Sequence, residues 1–380
     1  MLKNDNFCPS MNRQKSSKTC LAILCGGPGR ESGVSLCSAR NIYELTKNDY
    51  ISVFLYMDKS SRFHLFHDGS FLEGEGNVLK TRVEQEGFEL YEIKEVAQRQ
   101  GLSIDLVFPI IHGSPLEDGK IQVLFESLQV PYLGCDSASS FLCFDKGLFK
   151  SYMSTFCTQS KTRFDLIPWK IYQRGIDSPE GILDLFKNQN IYLKPVQEGS
   201  SFGVHRVSEP EKRVEVLKDL LNNYKRILVE PEVKGRELEV ALLETRKGWV
   251  ASEVGEINLG DEKFYSYEAK YGEKSSVKTG LASLPSKLSV EFRELSIELA
   301  KRLGARGFLR MDYFLDVDSK ILLNEVNTHP GCTGISMFPV LLADSGFEGS
   351  RWIDELIAAH VYRVCDSEER NATMVEGTGE

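Results

Sequence analysis

Short runs of consecutive apolar residues, separated by helix-like stretches, mark the first third of the chain. The run at 21–24, "LAIL", precedes a glycine-rich turn and a helical face that carries Val34, Ile42 and Leu45. Similar runs occur in "ISVFLYMD" and "DLVFPIIHG", and a helix-like "GKIQVLFESLQ" leads into a further strand-like run, "VPYLG". Such runs are typical of buried parallel strands, and their alternation with helices predicts a Rossmann-like α/β domain over residues 19–145.

The ends of these strands are the first candidate site. Ligands of parallel sheets collect beyond the carboxyl ends of the strands. Gly26–Gly27 and His112–Gly113 both follow strand-like runs. We therefore expect a binding site at this edge, with His112 beside it.

A mixed α and β pattern replaces the parallel one after about residue 145. The strand-like runs "IYLKP" and "RILVEPEV" and the helical "EPEKRVEVLKDLLNNY" predict a small α+β unit over residues 146–236. A second mixed unit, residues 237–364, contains a long helix from Pro285 to Leu303 and a pair of strands. A helix from Arg351 to Val364 closes the predicted fold.

The two ends of the chain lack this periodicity. Residues 1–18 contain no apolar block, which predicts a disordered leader rather than a secretory signal. Residues 365–380 have no apolar face and predict a loose tail.

Composition limits the classes of function. The chain has 380 residues, 41% of them hydrophobic and 27% charged, which is typical of a globular protein of two or three domains. Its net charge of -9 argues against nucleic acid or an anionic membrane as a partner, and no apolar run is long enough for a membrane span. Nine cysteines without a C-x-x-C pair argue against a disulfide framework and a zinc site, and they predict a cytoplasmic location.

Two strand-like runs near the C-terminal end, "GFLRMDYFL" and "KILLNEVN", carry the clearest chemistry. They are joined by the polar turn "DVDS", so they predict a hairpin. Strand alternation places Arg310 and Asp312 on one face, and it places Glu325 and Asn327 on one face of the partner strand. If the faces coincide, these oxygen ligands suit Mg²⁺, and Arg310 is placed to neutralise a phosphoryl group. A solvated polar face on an edge hairpin fits the spacing equally well.

The loop "THPGCTGIS" that follows favours the first alternative. Backbone N–H groups near Gly331 could hold an oxyanion, and Ser336 could bind a carboxylate. A turn that simply needs glycines remains the competing interpretation.

Several basic and glycine-rich elements are weak evidence for a binding site when each is considered alone. They are Lys146 after "FLCFD", Lys194 ending "IYLK", Lys270 in "YEAKYG", and the loop "EGSSFGV". A Gly-Ser loop can cover phosphates, but a lysine at a strand end is usually a surface residue. The chain lacks a G-x-x-x-x-G-K-[ST] run, which excludes a Walker-type NTPase, and "GGPGRE" does not match a nicotinamide-binding turn.

Taken together, the motifs resemble those of the D-alanine–D-alanine ligases of the ATP-grasp superfamily. Eight blocks occur in the order of that family: "GGPGRESGVSLCSA", "VFPIIHGSPLEDGKIQ", "FDK", "YLKPVQEGSSFGV", "LVEPEVKGRELEVAL", "FYSYEAKY", "LRMDYF" and "LLNEVNTHPGCTGIS". The resemblance extends from about Leu21 to Val364. Departures occur at Ser32–Gly33, at Pro115–Leu116 and in "SLPSKL", outside the metal and phosphate motifs.

The resemblance implies a two-subdomain ATP-grasp fold after the N-terminal domain, and a role for each matching residue. The nucleotide would be bound by Lys146, Lys194, Lys270, Glu230, Val233 and Glu237. Two Mg²⁺ ions, with Mn²⁺ as a possible substitute, would be held by Asp312, Glu325 and Asn327. The amino acids and the charge that develops on them would be bound by Glu31, His112, Ser200, Tyr271, Arg310, Gly331 and Ser336.

The implied activity is ATP-dependent ligation of two D-alanine molecules through an acyl phosphate, for peptidoglycan precursor synthesis. A covering loop is expected over residues 264–278, since an acyl phosphate hydrolyses in water. Two alternatives stay open: an ATP-grasp ligase that makes another dipeptide, and a catalytically silent nucleotide-binding protein. Tyr271, with Glu31 and Ser200, favours an amine as the second substrate. A homodimer is also expected.

Overall fold

The computed structural model describes residues 18–74, 79–83, 86–258 and 278–376. The predicted leader up to residue 17 lies outside this part of the chain. So do residues 264–277 of the predicted covering loop, with Lys270 and Tyr271.

The N-terminal region contains a four-stranded sheet in the order β3-β2-β1-β6. Its strands are β1 (Cys20–Gly26), β2 (Ile51–Met57), β3 (Phe63–Phe66) and β6 (Leu106–Pro109), beside a small ribbon of β4 (Leu72–Glu73) and β5 (Lys80–Thr81). Its helices are α1 (Ser32–Thr46), α2 (Ile93–Arg99), α3 (Lys120–Ser127) and α4 (Ser137–Phe144). β1 is parallel to β2 and β6, which confirms the predicted parallel sheet, and β3 adds an antiparallel edge. The expected strand in "VPYLG" is reduced to a bridge between Val107 and Tyr132.

The continuous apolar run of β1 reflects burial on both faces. Leu21, Ile23 and Cys25 pack into one hydrophobic core, while Ala22 and Leu24 pack into another. Because neither face meets solvent, the strand shows no polar alternation.

The middle of the chain forms a smaller antiparallel sheet in the order β10-β9-β11-β8. Its strands are β8 (Lys170–Gln173), β9 (Ile191–Pro195), β10 (His205–Val207) and β11 (Arg226–Pro231). The helices α5 (Lys146–Ser154) and α6 (Arg213–Asn223) belong to the same stretch of chain. The short strand β7 (Asp165–Leu166) departs from the predicted subdivision, because it pairs with a strand of the next sheet.

The C-terminal region is built on a larger sheet in the order β15-β14-β12-β16-β17-β7, with β13 paired to β12. Its strands are β12 (Gly235–Thr245), β13 (Gly248–Ala251), β14 (Gly255–Asn258), β15 (Lys278–Leu281), β16 (Phe308–Asp316) and β17 (Ile321–Asn327). Its helices are α7 (Ser286–Arg302), α8 (Met337–Asp344) and α9 (Arg351–Glu376). The antiparallel pairing of β16 with β17 confirms the predicted hairpin.

Helix α9 corrects one expectation. It was expected to end at Val364 before a loose tail, but its backbone is helical to Glu376. The polar sequence after Val364 contains Glu, Arg, Ala and Met, which favour helix without an apolar face. Apolar periodicity reports burial, so its loss did not mark the end of the helix. Among the described residues, no helix combines the length and apolarity that crossing a bilayer requires.

Candidate active site

The carboxyl ends of β1 and β6 bring two predicted residues to one edge of the N-terminal sheet. The hydroxyl of Ser35 joins the strands, since it accepts from the Gly26 amide at 2.8 Å and donates to the Ile110 carbonyl at 2.8 Å. Glu31 precedes α1, and His112 follows β6. Both side chains are buried, as the position at the strand ends led us to expect.

The glycine-rich loop after β17 is fixed to the same helix. The Cys332 amide donates to the Ser38 hydroxyl at 3.2 Å, and the Asn41 amide group donates to the Cys332 carbonyl at 2.8 Å. The Ser38 hydroxyl also lies 3.5 Å from Nε2 of His112. These contacts hold the loop containing Gly331 and Ser336 against the N-terminal domain.

The β16–β17 hairpin presents the four polar residues that alternation placed together. Arg310 faces Asn327 and Asp312 faces Glu325 in the strand register. The Arg310 guanidinium donates to both oxygens of Asp312 at 2.7 Å. The register shifts next to Asp312, and the extra residue on β17 is Asn324, which also lines the site.

A buried ion triad connects α5 with the smaller sheet. The Glu230 carboxylate is 2.5 Å from the Lys150 ammonium and 2.8 Å from that of Lys194. Burial opposes ionisation of Glu230, but the two ammonium groups prevail and lower its pKa to about 2. Burial lowers the pKa of Lys150, whereas Glu230 outweighs burial at Lys194 and raises its pKa.

The loop "EGSSFGV" joins the smaller sheet to the N-terminal domain. Ser200 and Ser201 have positive φ angles of 47° and 61°, which are unusual for residues other than glycine. The Ser200 hydroxyl donates to the Glu31 carboxylate. Lys146 donates to the Glu198 carbonyl at 2.5 Å and lies 4.0 Å from Glu325. A strained loop held at both ends in this way is typical of a functional site.

Two adjoining cavities contain the described candidate residues. We call the one of about 470 Å³ the larger cavity and the one of about 110 Å³ the smaller cavity. Of the predicted residues, the larger cavity is lined by Lys146, Lys194, Ser200, Glu230, Val233, Glu237, Arg310, Asp312 and Glu325. The smaller cavity is lined by Glu31, His112, Lys146, Ser200, Arg310, Glu325, Asn327, Gly331 and Ser336. The cavities meet where six residues line both of them: Lys146, Glu198, Gly199, Ser200, Arg310 and Glu325.

Sequence reasoning missed two buried ionisable residues. Lys150 lies one helical turn after Lys146, a spacing that could have indicated a second lysine on the same face. Glu117 lines the smaller cavity, where burial and the nearby Glu31 raise its pKa to about 8. Burial lowers the pKa of His112, which keeps the imidazole neutral near pH 7.

The predicted Mg²⁺ ligands provide a plausible but sparse donor set. No group of three or more His, Cys, Asp or Glu side chains suited to a metal occurs among the described residues. Asp312 and Glu325 are two carboxylates, and Asn327 adds an amide oxygen that already accepts from the His329 amide at 3.0 Å. Each of these oxygens retains a further lone pair. Since Mg²⁺ takes few protein ligands and completes its shell with water and phosphate, the three residues fit it.

Solved structures resemble this chain over nearly its whole length. A D-alanine-D-alanine ligase from Coxiella burnetii is 24% identical, with a TM-score of 0.74, and covers 95% of this chain and 99% of its own. D-alanyl-alanine synthetase A from Vibrio cholerae is 27% identical, with a TM-score of 0.74, over 91% of this chain and 99% of its own. The fold and the lysine-lined cavity together define a protein of the ATP-grasp class.

Two family models match the chain, D-ala D-ala ligase N-terminus over residues 20–135 and D-ala D-ala ligase C-terminus over residues 187–358. The chain belongs to the D-alanine–D-alanine ligase family. The D-alanine–D-alanine ligase of Shewanella denitrificans is 34% identical over 91% of this chain and 100% of that relative. The ligase of Shewanella oneidensis is 33% identical over 90% of this chain and 98% of that relative.

Proposed function

We propose that this protein joins two D-alanine molecules into D-alanyl-D-alanine, with ATP converted to ADP and phosphate, for peptidoglycan precursor synthesis. Family membership supports the reaction, and one structural observation supports its chemistry. The larger cavity, lined by the partly buried Lys146 and Lys194, opens into the smaller cavity beside Arg310 and Glu325. A nucleotide phosphate and an amino-acid carboxylate bound in the two cavities would therefore meet at these residues.

The first step that we propose is activation of a carboxylate. A carboxylate is a poor electrophile, so the first D-alanine attacks the γ-phosphorus of ATP, an acyl phosphate forms and ADP leaves. Lys146 and Lys194 would hold the phosphates, and Glu230, Val233 and Glu237 would border the nucleoside; that all five line the larger cavity supports these roles. Catalysis of this kind depends mainly on positioning and charge neutralisation.

The second step is attack by an amine. The amino group of the second D-alanine adds to the acyl carbon, phosphate leaves, and a proton is lost from the nitrogen. Arg310 and the Gly331 amide would stabilise the developing oxyanion, and Ser336 would bind the carboxylate of the second amino acid. Asp312, Glu325 and Asn327 would hold Mg²⁺, which supplies positive charge to the phosphates.

Phosphate release from ATP tests this proposal. We expect release to require both Mg²⁺ and D-alanine, with D-alanyl-D-alanine detected by mass spectrometry. ATP turnover that is indifferent to D-alanine would reject the reaction. A screen of amino-acid pairs tests the alternative product, since a different dipeptide would show that the smaller cavity selects another substrate. The cytoplasmic location and the homodimer remain predictions.

A further inference from the structure

Two carboxylates of the smaller cavity converge on one point. A Cβ atom added to Gly199 would lie 3.4 Å from Oε2 of Glu117 and 3.9 Å from Oε2 of Glu31. The two side chains come from different turns, because Glu31 precedes α1 and Glu117 follows β6. Glu117 is held in place by its own backbone, whose amide donates to the Gly113 carbonyl at 2.9 Å. The paired carboxylates are thus built into the turns at the sheet edge.

The cations nearest to this pair have other partners. Lys146 is directed to the Glu198 carbonyl and to Glu325, and Arg310 is directed to Asp312 and Glu239. In the part of the chain that the structure describes, no lysine or arginine forms an ion pair with Glu31 or Glu117. The partners that it does show are the Ser200 hydroxyl for Glu31 and, at 3.9 Å, the His112 ring for Glu117.

Protonation is how a protein accommodates two such carboxylates. Burial and the charge of Glu31 raise the pKa of Glu117 to about 8, while Lys146 acts in the opposite direction. The side chain of Glu117 is only 15% exposed, so water screens this repulsion poorly. Near pH 7 the Glu117 carboxyl is therefore mostly protonated, which removes one of the two negative charges from this part of the cavity.

We propose that Glu117 is a second ammonium-binding carboxylate, which gives up its proton when the amino group of the first amino acid enters the smaller cavity. The proposal rests on the proposed function, and it deepens the description of the same site. The protonated pair releases H⁺ to solvent, and the ionised pair then binds R–NH₃⁺. The positive charge of the ligand replaces the positive charge of the proton, so the net charge of the site is unchanged.

The residues that line the smaller cavity would also orient a bound amino acid. Arg310 and Gly331 line the same cavity as Glu31 and Glu117. An amino acid with its ammonium at the carboxylate pair would have its own carboxylate free to face Arg310, near the junction with the larger cavity. The site therefore fits a small zwitterion that is bound at both charged ends.

Calorimetry in buffers of different ionisation enthalpy tests the proton exchange. D-Alanine is titrated into the full chain loaded with Mg²⁺ and a non-hydrolysable ATP analogue at pH 7. We expect release of close to one proton from the wild type. In Glu117→Gln we expect almost no release and a Kd for D-alanine at least about tenfold higher, because a charge-assisted hydrogen bond is lost. Asp118→Asn is the matched control, since Asp118 bonds to Ser114 and Lys120 instead, and it should leave both values unchanged.

The pH dependence of binding separates this role from a structural one. Wild-type affinity should rise about tenfold per pH unit between pH 6 and 7 and level off near pH 8, because Glu117 ionises there. Glu117→Gln should remove this slope, whereas loss of a purely structural contact would weaken binding equally at every pH. Burial lowers the pKa of His112 from its usual value, and Lys146 and Glu325 face the same cavity in both proteins.

Glu198 is a second possible proton source, since burial raises its pKa. Release that persists in Glu117→Gln would assign the proton to another group and would overturn the inference. Binding of D-alanine to the wild type without proton release would also overturn the inference. Failure of the wild type to bind D-alanine at all would instead reject the proposed function, so the two failures are distinguishable. A thermal melt of Glu117→Gln checks that the variant is folded.

Discussion

The two cavities handle buried charge in opposite ways. In the larger cavity, Glu230 lies between Lys150 and Lys194, and Arg310 lies against Asp312. In the smaller cavity, Glu31 and Glu117 both lie near Gly199, and burial and the charge of Glu31 raise the pKa of Glu117. The Glu230 and Asp312 carboxylates of the larger cavity are therefore paired with cations before any ligand binds. The proposed carboxylate pair of the smaller cavity, in contrast, is completed by the positive charge of its ligand.

The difference follows from the elements that build each cavity. Lys194, Glu230, Arg310 and Asp312 lie on strands, where the register decides which side chains are neighbours. Glu31 lies in a turn after a strand, as does Glu117 in the N-terminal domain. Neighbouring positions on one strand or on adjacent strands can match opposite charges rigidly, while turns at a sheet edge can bring carboxylates to the same cavity.

The largest expected effect tests the ion pair between Arg310 and Asp312 in the larger cavity. Asp312→Asn removes the charge that holds the Arg310 guanidinium and removes one carboxylate from the predicted Mg²⁺ set. We expect kcat/KM to fall by about a thousandfold, the range seen when a charge-stabilising group is lost from an active site. The measurement is phosphate release from ATP as a function of Mg²⁺ concentration.

Asp318→Asn is the control for this variant, because Asp318 is an exposed residue in the turn between β16 and β17. It should behave like the wild type. An Asp312→Asn protein with full activity and an unchanged Mg²⁺ dependence would show that the carboxylates of the hairpin are not the ligands.

The next effect concerns the ion triad. Lys150→Met leaves Glu230 with a single cationic partner in a buried position, and breaking a buried pair costs about 3 kcal/mol of unfolding free energy. The KM for ATP should rise more than kcat falls, because Lys150 acts through Glu230 and Lys194 on nucleotide binding. Denaturant unfolding and steady-state kinetics measure the two effects.

Lys187→Met serves as the comparison for Lys150→Met. Lys187 and Asp184 form a surface pair whose side chains are 66% and 82% exposed. Such a pair contributes little, so stability should change by less than about 0.5 kcal/mol. Equal losses in the two variants would mean that burial does not strengthen the triad.

The same contrast explains which parts of the site could be predicted from the sequence. Strand alternation placed Arg310, Asp312, Glu325 and Asn327 together, and the register confirms it, because a period of two residues fixes the face of each side chain. The strand ends likewise placed His112 at the sheet edge. The parallel sheet and the hairpin were therefore predictable from local pattern.

Contacts between distant segments could not be predicted in this way. Glu117 and Glu31 lie near the same glycine, Gly199, only because two turns come together, and Lys150 of a helix pairs with Glu230 of a strand. No local spacing encodes either approach. The helix beyond Val364 was missed for a different reason, since helix-favouring residues can continue a helix without an apolar stripe.

A third prediction is that the two cavities contribute to stability with opposite pH dependence. The pKa of Glu230 is lowered to about 2 from 4.5, so its contribution is complete above pH 4.5 and is lost as pH falls towards 2. The pKa of Glu117 is raised to about 8 from 4.5, so its contribution is complete below pH 4.5 and is lost as pH rises towards 8.

Denaturant unfolding of Glu230→Gln and Glu117→Gln at pH 3, 5 and 8 measures both contributions. Relative to the wild type, Glu117→Gln should become more stable from pH 5 to 8, by up to about 1.4 kcal/mol per pH unit. The loss of unfolding free energy in Glu230→Gln, relative to the wild type, should become smaller from pH 5 to pH 3. The contrast between the cavities would be contradicted if the two carboxylates contributed to the unfolding free energy with the same pH dependence.

The smallest effect is expected at the point where the two carboxylates converge. In Gly199→Ala the new methyl group would lie at ordinary contact distances of 3.4 Å from Glu117 and 3.9 Å from Glu31, so the fold need not shift. The methyl group would nevertheless occupy space that an ammonium group needs. We expect the KM for D-alanine to rise about fivefold, and the KM for ATP to rise less, because Gly199 lines both cavities but the carboxylates lie in the smaller one. Gly181→Ala is the control, since its methyl group would meet only Tyr172, at 3.5 Å and away from both cavities. Steady-state kinetics with each substrate varied in turn decide the point: an equal rise in both KM values would mean that Gly199 serves the loop as a whole, not the carboxylate pair.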